Sequence, residues 1–161
     1  DIFFLLGDNS NSIEGIANPS SVIYRSKDFG TTFTKTSLGK GTITEGRFVK
    51  ETLYIVLQNK VFENNKPIIN TTIYQSKDFG ESWEKVAFFE NTEIDKIYFY
   101  TEKIGIARFY DRTNETSQYK YTSDGGVSWN IAKGLIKTDS VIVILYFVKI
   151  YTGKEFQKYL L

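Results

Sequence analysis

One eight-residue turn occurs three times in this chain and sets the terms for everything else. It reads Ser26-Lys27-Asp28-Phe29-Gly30-Thr31-Thr32-Phe33, then Ser76-Lys77-Asp78-Phe79-Gly80-Glu81-Ser82-Trp83, then Thr122-Ser123-Asp124-Gly125-Gly126-Val127-Ser128-Trp129. Each copy obeys hydroxyl-x-Asp-x-Gly-x-hydroxyl-aromatic, and the aspartates fall 50 and 46 residues apart. Spacing of that length is the period of sheet-forming repeats such as propeller blades. The chain is therefore expected to be an array of small packed sheets.

The residue types explain themselves physically. Asp28, Asp78 and Asp124 can accept hydrogen bonds from backbone N–H groups a few residues on, where two strands part and those groups would otherwise be unpaired. Gly30, Gly80 and Gly126 supply a positive φ that lets the hairpin close. Ser26, Ser76 and Thr122 bond locally. Phe33, Trp83 and Trp129 open the next strand and carry the largest apolar area of each unit, so they are expected to plug the gap between neighbouring sheets.

These turns resemble the Asp-box, or bacterial neuraminidase repeat, of the Asp-box β-propeller superfamily. Similar boxes occur in sialidases, sortilin-like receptors, secreted glycoside hydrolases and carbohydrate-binding proteins, and a photosystem II assembly factor family. The resemblance covers roughly residues 20 to 133. It implies blade-like hairpins and says almost nothing about activity, because those families share the turn and differ in chemistry.

Strand-like runs of β-branched and aromatic residues fall at 1–6, 21–26, 32–37, 43–50, 53–58, 71–76, 82–88, 94–100, 104–110, 117–122, 128–132 and 140–150. No segment sustains a helical period. The expected fold is all-β and propeller-like, with about three four-stranded antiparallel blades: units 1–38, 42–89 and 93–133, and a closing strand within 139–161. The first unit is one strand short, and 140–150 is a candidate to complete it. Because propellers typically hold four to eight blades, three arrangements stay open: part of a larger ring, a six-bladed ring of two chains, or three sheets packed without a ring.

Composition narrows the chemistry. Twenty basic and nineteen acidic residues leave a net charge of +1 with no long run of one sign, so neither a nucleic acid nor an anionic membrane is the expected partner. The longest apolar run, Val141 to Val148, is far shorter than the about 20 residues a helical membrane span needs. Cysteine and histidine are both absent, which removes thiol nucleophiles, the commonest metal ligand and the usual general base. No cofactor and no metal are expected. An exported protein, periplasmic, secreted or at the cell surface, is favoured on the resemblance and on the Asn-, Ser- and Thr-rich loops.

Propeller geometry points to the loops between second and third strands, at 7–20, 59–70 and 111–116, on the end opposite the boxes. Their candidate binding residues are Asp8, Asn11 and Glu14, then Glu63, Asn64 and Lys66, then Asp111, Arg112 and Asn114. Amides, carboxylates and a few cations suit a protein or glycan ligand. No catalytic residue is expected: the four arginines, Arg25, Arg47, Arg108 and Arg112, do not sit in the motif that the resemblance to sialidases would require. Arg25 is expected to be a strand surface residue. The reading is a non-catalytic exported binding module, with a fragment or subunit of a sialidase-like hydrolase and an assembly-factor scaffold as alternatives, and with a homodimer as one partner arrangement.

Overall fold

A computed structural model of the chain describes residues 3–9 and 19–132. Among these residues there are eleven strands and no helix: β1 (Phe3–Asn9), β2 (Ser20–Ser26), β3 (Thr34–Thr36), β4 (Thr42–Val49), β5 (Thr52–Glu63), β6 (Lys66–Ser76), β7 (Glu84–Phe89), β8 (Thr92–Phe99), β9 (Gly105–Asp111), β10 (Thr116–Thr122) and β11 (Asn130–Ile131). They form three antiparallel sheets of sequential neighbours, β1-β2-β3, β4-β5-β6-β7 and β8-β9-β10-β11, stacked as propeller-like blades that do not close.

Register makes the sheets equivalent position by position. The residue that opens each box stands opposite Phe3, Leu53 and Gly105: Phe3 pairs Ser26, Leu53 pairs Ser76 and Gly105 pairs Thr122. Thus β1, β5 and β9 are counterparts, and the first sheet lacks a counterpart of β4 and β8 among the described residues. The strand expected there, 140–150, lies outside them.

The middle sheet is covered on both faces, and its sequence shows it. Leu53, Tyr54, Ile55, Val56 and Leu57 of β5 are all buried, a continuous apolar run of the kind that a strand between two layers requires. Alternate residues serve alternate layers. Leu53 and Ile55 pack with Ile23, Phe4, Leu38, Ile43 and Trp83 between the first and second sheets. Tyr54 and Val56 pack with Ile73, Ile94, Ile97, Ala107, Phe109 and Trp129 between the second and third. Full burial of each large aliphatic side chain contributes about 1.5–3 kcal/mol, so these two layers carry most of the stability.

Two expectations need correction. Residues 59–70 are not a loop: β5 and β6 run on as a ladder from Leu53–Ser76 to Glu63–Lys66. The chain reverses through Asn64 and Asn65, both at positive φ (49° and 61°), the mirror-image turn that matches strand twist. The third loop falls where it was expected, as a turn between Asp111 and Thr116, which pair with one another. Phe33 is no plug. It is 44% exposed and meets Tyr24 edge-on in its own sheet, because the plugs fill toward the preceding sheet and the first sheet has none among the described residues.

Candidate functional site

Each box is a closed set of short-range hydrogen bonds. In the first, the Ser26 hydroxyl donates to Asp28 Oδ1 (2.8 Å) and accepts from the Gly30 N–H (2.8 Å), while Asp28 accepts from the Thr32 N–H (2.8 Å) and hydroxyl (2.6 Å). The second repeats this with Ser76, Asp78, Gly80 and Ser82. The third repeats it with Thr122, Asp124, Gly126 and Ser128. Gly30, Gly80 and Gly126 all have positive φ (84°, 78° and 94°), as the turn demands.

Those donors move the carboxyl groups. The Thr32 hydroxyl and N–H, with Ser26, hold Asp28 down at about 2. Ser82 does the same for Asp78, leaving it far below the ordinary carboxylate range. Burial pushes Asp124 up, and the bonds from Ser128 and Thr122 outweigh it, so it too stays below its ordinary value. Carboxylates bonded in this way staple the turn.

The loop-end candidates come together differently. Glu63, Asn64 and Lys66 at the β5–β6 turn, with Pro67 and Ile68, face Arg112 and Thr113 of the β9–β10 turn and Asn91 across a cleft of about 470 Å³. That volume is within the range of small-molecule sites, roughly 300–1,000 Å³. The cleft lies at the opposite end of the sheets from the boxes: β6 runs from Lys66 to Ser76, about 30 Å at strand rise.

Local bonding fixes the third-sheet wall. Asp111 Oδ1 accepts from the N–H groups of Thr113 (2.8 Å) and Asn114 (3.2 Å), and its Oδ2 accepts from the Asn114 amide (2.8 Å), which lowers its pKa. Asp111 and Asn114 therefore shape the turn and do not line the cleft. Arg112 donates to Glu93, and its N–H donates to the Asn91 carbonyl (3.2 Å). Asn91 joins the two sheets: its N–H donates to Asn70 Oδ1 (3.0 Å) and its amide to Thr113 Oγ1 (2.8 Å). Among the described residues, Asn91 Oδ1 is buried without a donor.

Asn91 and Thr113 escaped the sequence reading; the Glu90-Asn91-Thr92 connection, with Asn91 at φ 42°, was the available signal. Asp8 lies on β1 opposite Ser21; Asn11 and Glu14 lie outside the described residues. The four arginines are dispersed, each with its own carboxylate: Arg25 with Glu81, Arg47 with Glu45, Arg108 with Asp95 and Arg112 with Glu93. Arg25 is not a plain surface residue, since its guanidinium reaches across to the second box, donating to the Phe79 carbonyl at 3.2 Å. No group of three or more Asp, Glu, His or Cys side chains gathers for a metal ion among the described residues.

A family model described as the BNR-Asp box repeat matches residues 23–36 and 73–86. No curated protein matches the chain. The two matched segments carry the first and second boxes, and the third box repeats the four side-chain bonds given above for each. The chain therefore carries BNR-Asp box repeats.

Proposed function

We propose that this chain is a non-catalytic binding module, working outside the cytoplasm, that holds a hydroxyl-rich glycan in the cleft between the β5–β6 and β9–β10 turns. The observation that carries the reading is the convergence of two successive sheets on one cleft lined by amides, a hydroxyl and cations, Asn64, Lys66, Asn91, Arg112 and Thr113. Such groups both donate to and accept from sugar hydroxyls. Glu93 offsets Arg112 and Glu63 stands near Lys66, which favours a neutral ligand over a strongly charged one.

Among the described residues, Glu63 is the one carboxylate in the cleft lining. Hydrolysis of a glycosidic bond by the usual route needs two facing carboxylates, and Asp111 is already bound within its own turn, which favours binding over cleavage. The test is a glycan array probed with the 161-residue chain, followed by titration calorimetry on hits. Binding that Lys66→Ala weakens tenfold or more supports the reading, and release of reducing ends from a bound glycan would overturn its non-catalytic part.

A further inference from the structure

The two ends of the stacked sheets differ in polarity. At the cleft end the chain turns through Asn64 and Asn65, through Asn91, and through Thr113 and Asn114. At the box end each turn carries an exposed apolar side chain: Phe29 in the first box (72% exposed), Phe79 in the second (36%) and Val127 in the third (63%). Phe48, half exposed near the end of β4, stacks on Phe79 and adds a fourth.

Two of these tips are held at a cost. Phe29 and Phe79 lie at φ 56° and 54°, the left-handed region that a residue with a Cβ enters only with strain. The third box has Gly125 there, and its apolar side chain stands two residues on, at Val127, where the other boxes have Thr31 and Glu81. All three turns thus present an apolar tip, by two different positions, and two of them keep a strain that glycine would relieve. Strain that the fold does not need is a pointer to function, and exposed apolar groups gathered at one end mark a docking surface.

Charge identifies what the tips meet. Lys27 and Lys77 precede Phe29 and Phe79 by two residues, and Lys50 follows Phe48 by two. Each stands by a carboxylate: Lys27 by Glu81, Lys50 by Glu102 and Lys77 by Glu84. Ion pairs set among apolar tips match zwitterionic headgroups above hydrocarbon, and they leave these lysines no excess charge with which to hold an anionic surface. The tips also stand on separate turns of sheets that stack about 10 Å apart. Side chains so spaced fit between headgroups one by one, and they lack the continuous packed centre of a protein–protein interface.

We propose that the box end is a lipid-docking surface, on which Phe29, Phe48, Phe79 and Val127 enter the interface of a zwitterionic bilayer without spanning it. The cleft then faces away from the bilayer, at the opposite end of the sheets.

Sedimentation of the 161-residue chain with phosphatidylcholine vesicles tests this. The chain is expected to pellet with them, and about 0.5 M sodium chloride should change its partition less than about twofold, because salt screens exposed charges and not apolar contacts. Phe79→Gly combined with Val127→Ser should lower the partition about tenfold or more, with a melting curve confirming the fold. A polarity-sensitive fluorophore locates the contact in a chain with no other cysteine: on Ser123→Cys in the third box its emission should shift to the blue with vesicles, and on Asn65→Cys at the cleft end it should not. Failure to pellet overturns the proposal, as does a partition that the folded double variant leaves unchanged. Binding confined to vesicles with anionic lipid and lost in salt overturns it too. Should the double variant fold poorly, the fluorophore pair decides: a shift on Ser123→Cys alone supports the docking surface, and any other pattern overturns it.

Discussion

The Tyr54 hydroxyl donates to the Glu102 carbonyl at 2.6 Å, and the two residues are 48 positions apart. The Tyr54 ring lies flat on Phe99, with centroids 3.7 Å apart and planes 10° apart. This one side chain thus fastens the second sheet to the third through packing and a hydrogen bond at once. Tyr54→Phe keeps the stack and loses the bond, and is expected to lower stability by about 1 kcal/mol, measured by urea unfolding.

The same burial, with Glu102 nearby, pushes the Tyr54 hydroxyl up to about 12. Its folded pKa is above the unfolded value near 10, so its contribution is complete below pH 10 and is lost as pH rises toward 12. Ultraviolet titration should show a tyrosine that ionises late, and Tyr54→Phe should remove that late step.

The box aspartates set the acid limb. Their folded pKa values lie below the unfolded value, with Asp28 at about 2. Their contribution is therefore present above pH 4 and fades as pH falls toward 2. Thermal unfolding between pH 6 and 2 should show the melting temperature dropping across that window, and Asp78→Asn should lower it at pH 6 while flattening the drop.

Phe29 and Phe79 occupy the left-handed region at φ 56° and 54°, where the third box has Gly125 at φ 78°. A side chain there costs about 1–2 kcal/mol, and glycine's extra freedom when unfolded costs roughly 0.5–1. The backbone difference therefore favours glycine by about 0.5–1 kcal/mol, and Phe79→Gly is expected to gain less than that in chemical denaturation, because Phe79 also stacks on Phe48 at 6.5 Å.

Gly41 offers the opposite case. Its φ is 127°, and a Cβ there would stand 2.5 Å from the Gln58 carbonyl oxygen, a backbone atom that cannot swing away. Gly41→Ala should cost about 2 kcal/mol or more. Gly7→Ala on β1, with nothing within 4 Å of its Cβ, should be near neutral by the same assay.

The boxes were legible in the sequence because their bonds span four residues or fewer: Ser26, Asp28, Gly30 and Thr32 hold one another without help from elsewhere. The sheets were legible because β-branched and aromatic runs are bounded by those turns. What misled was Asn59 to Asn70, where lysines, asparagines and Pro67 read as a loop. The alternation Lys60-Val61-Phe62-Glu63 and the Asn64-Asn65 pair were the hairpin signal. Phe33 misled for a different reason: its role depends on a neighbouring sheet, and no residue pattern within its own unit records whether that neighbour exists. The cleft was half legible, since Glu63, Asn64, Lys66 and Arg112 sit on hairpin tips. Asn91 and Thr113 join them only because the second and third sheets stack, which is a relation between segments and not a property of either.

The division of labour between the two ends of the sheets is the central claim, and one paired measurement tests it: glycan affinity and melting temperature, side by side, for Lys66→Ala and Asp78→Asn. The expected result is tenfold or greater loss of affinity at unchanged melting temperature for Lys66→Ala. For Asp78→Asn it is a lower melting temperature at unchanged affinity per folded molecule. Loss of affinity in Asp78→Asn with its stability intact, beside a Lys66→Ala variant that binds normally, would place the site at the boxes and contradict the assignment.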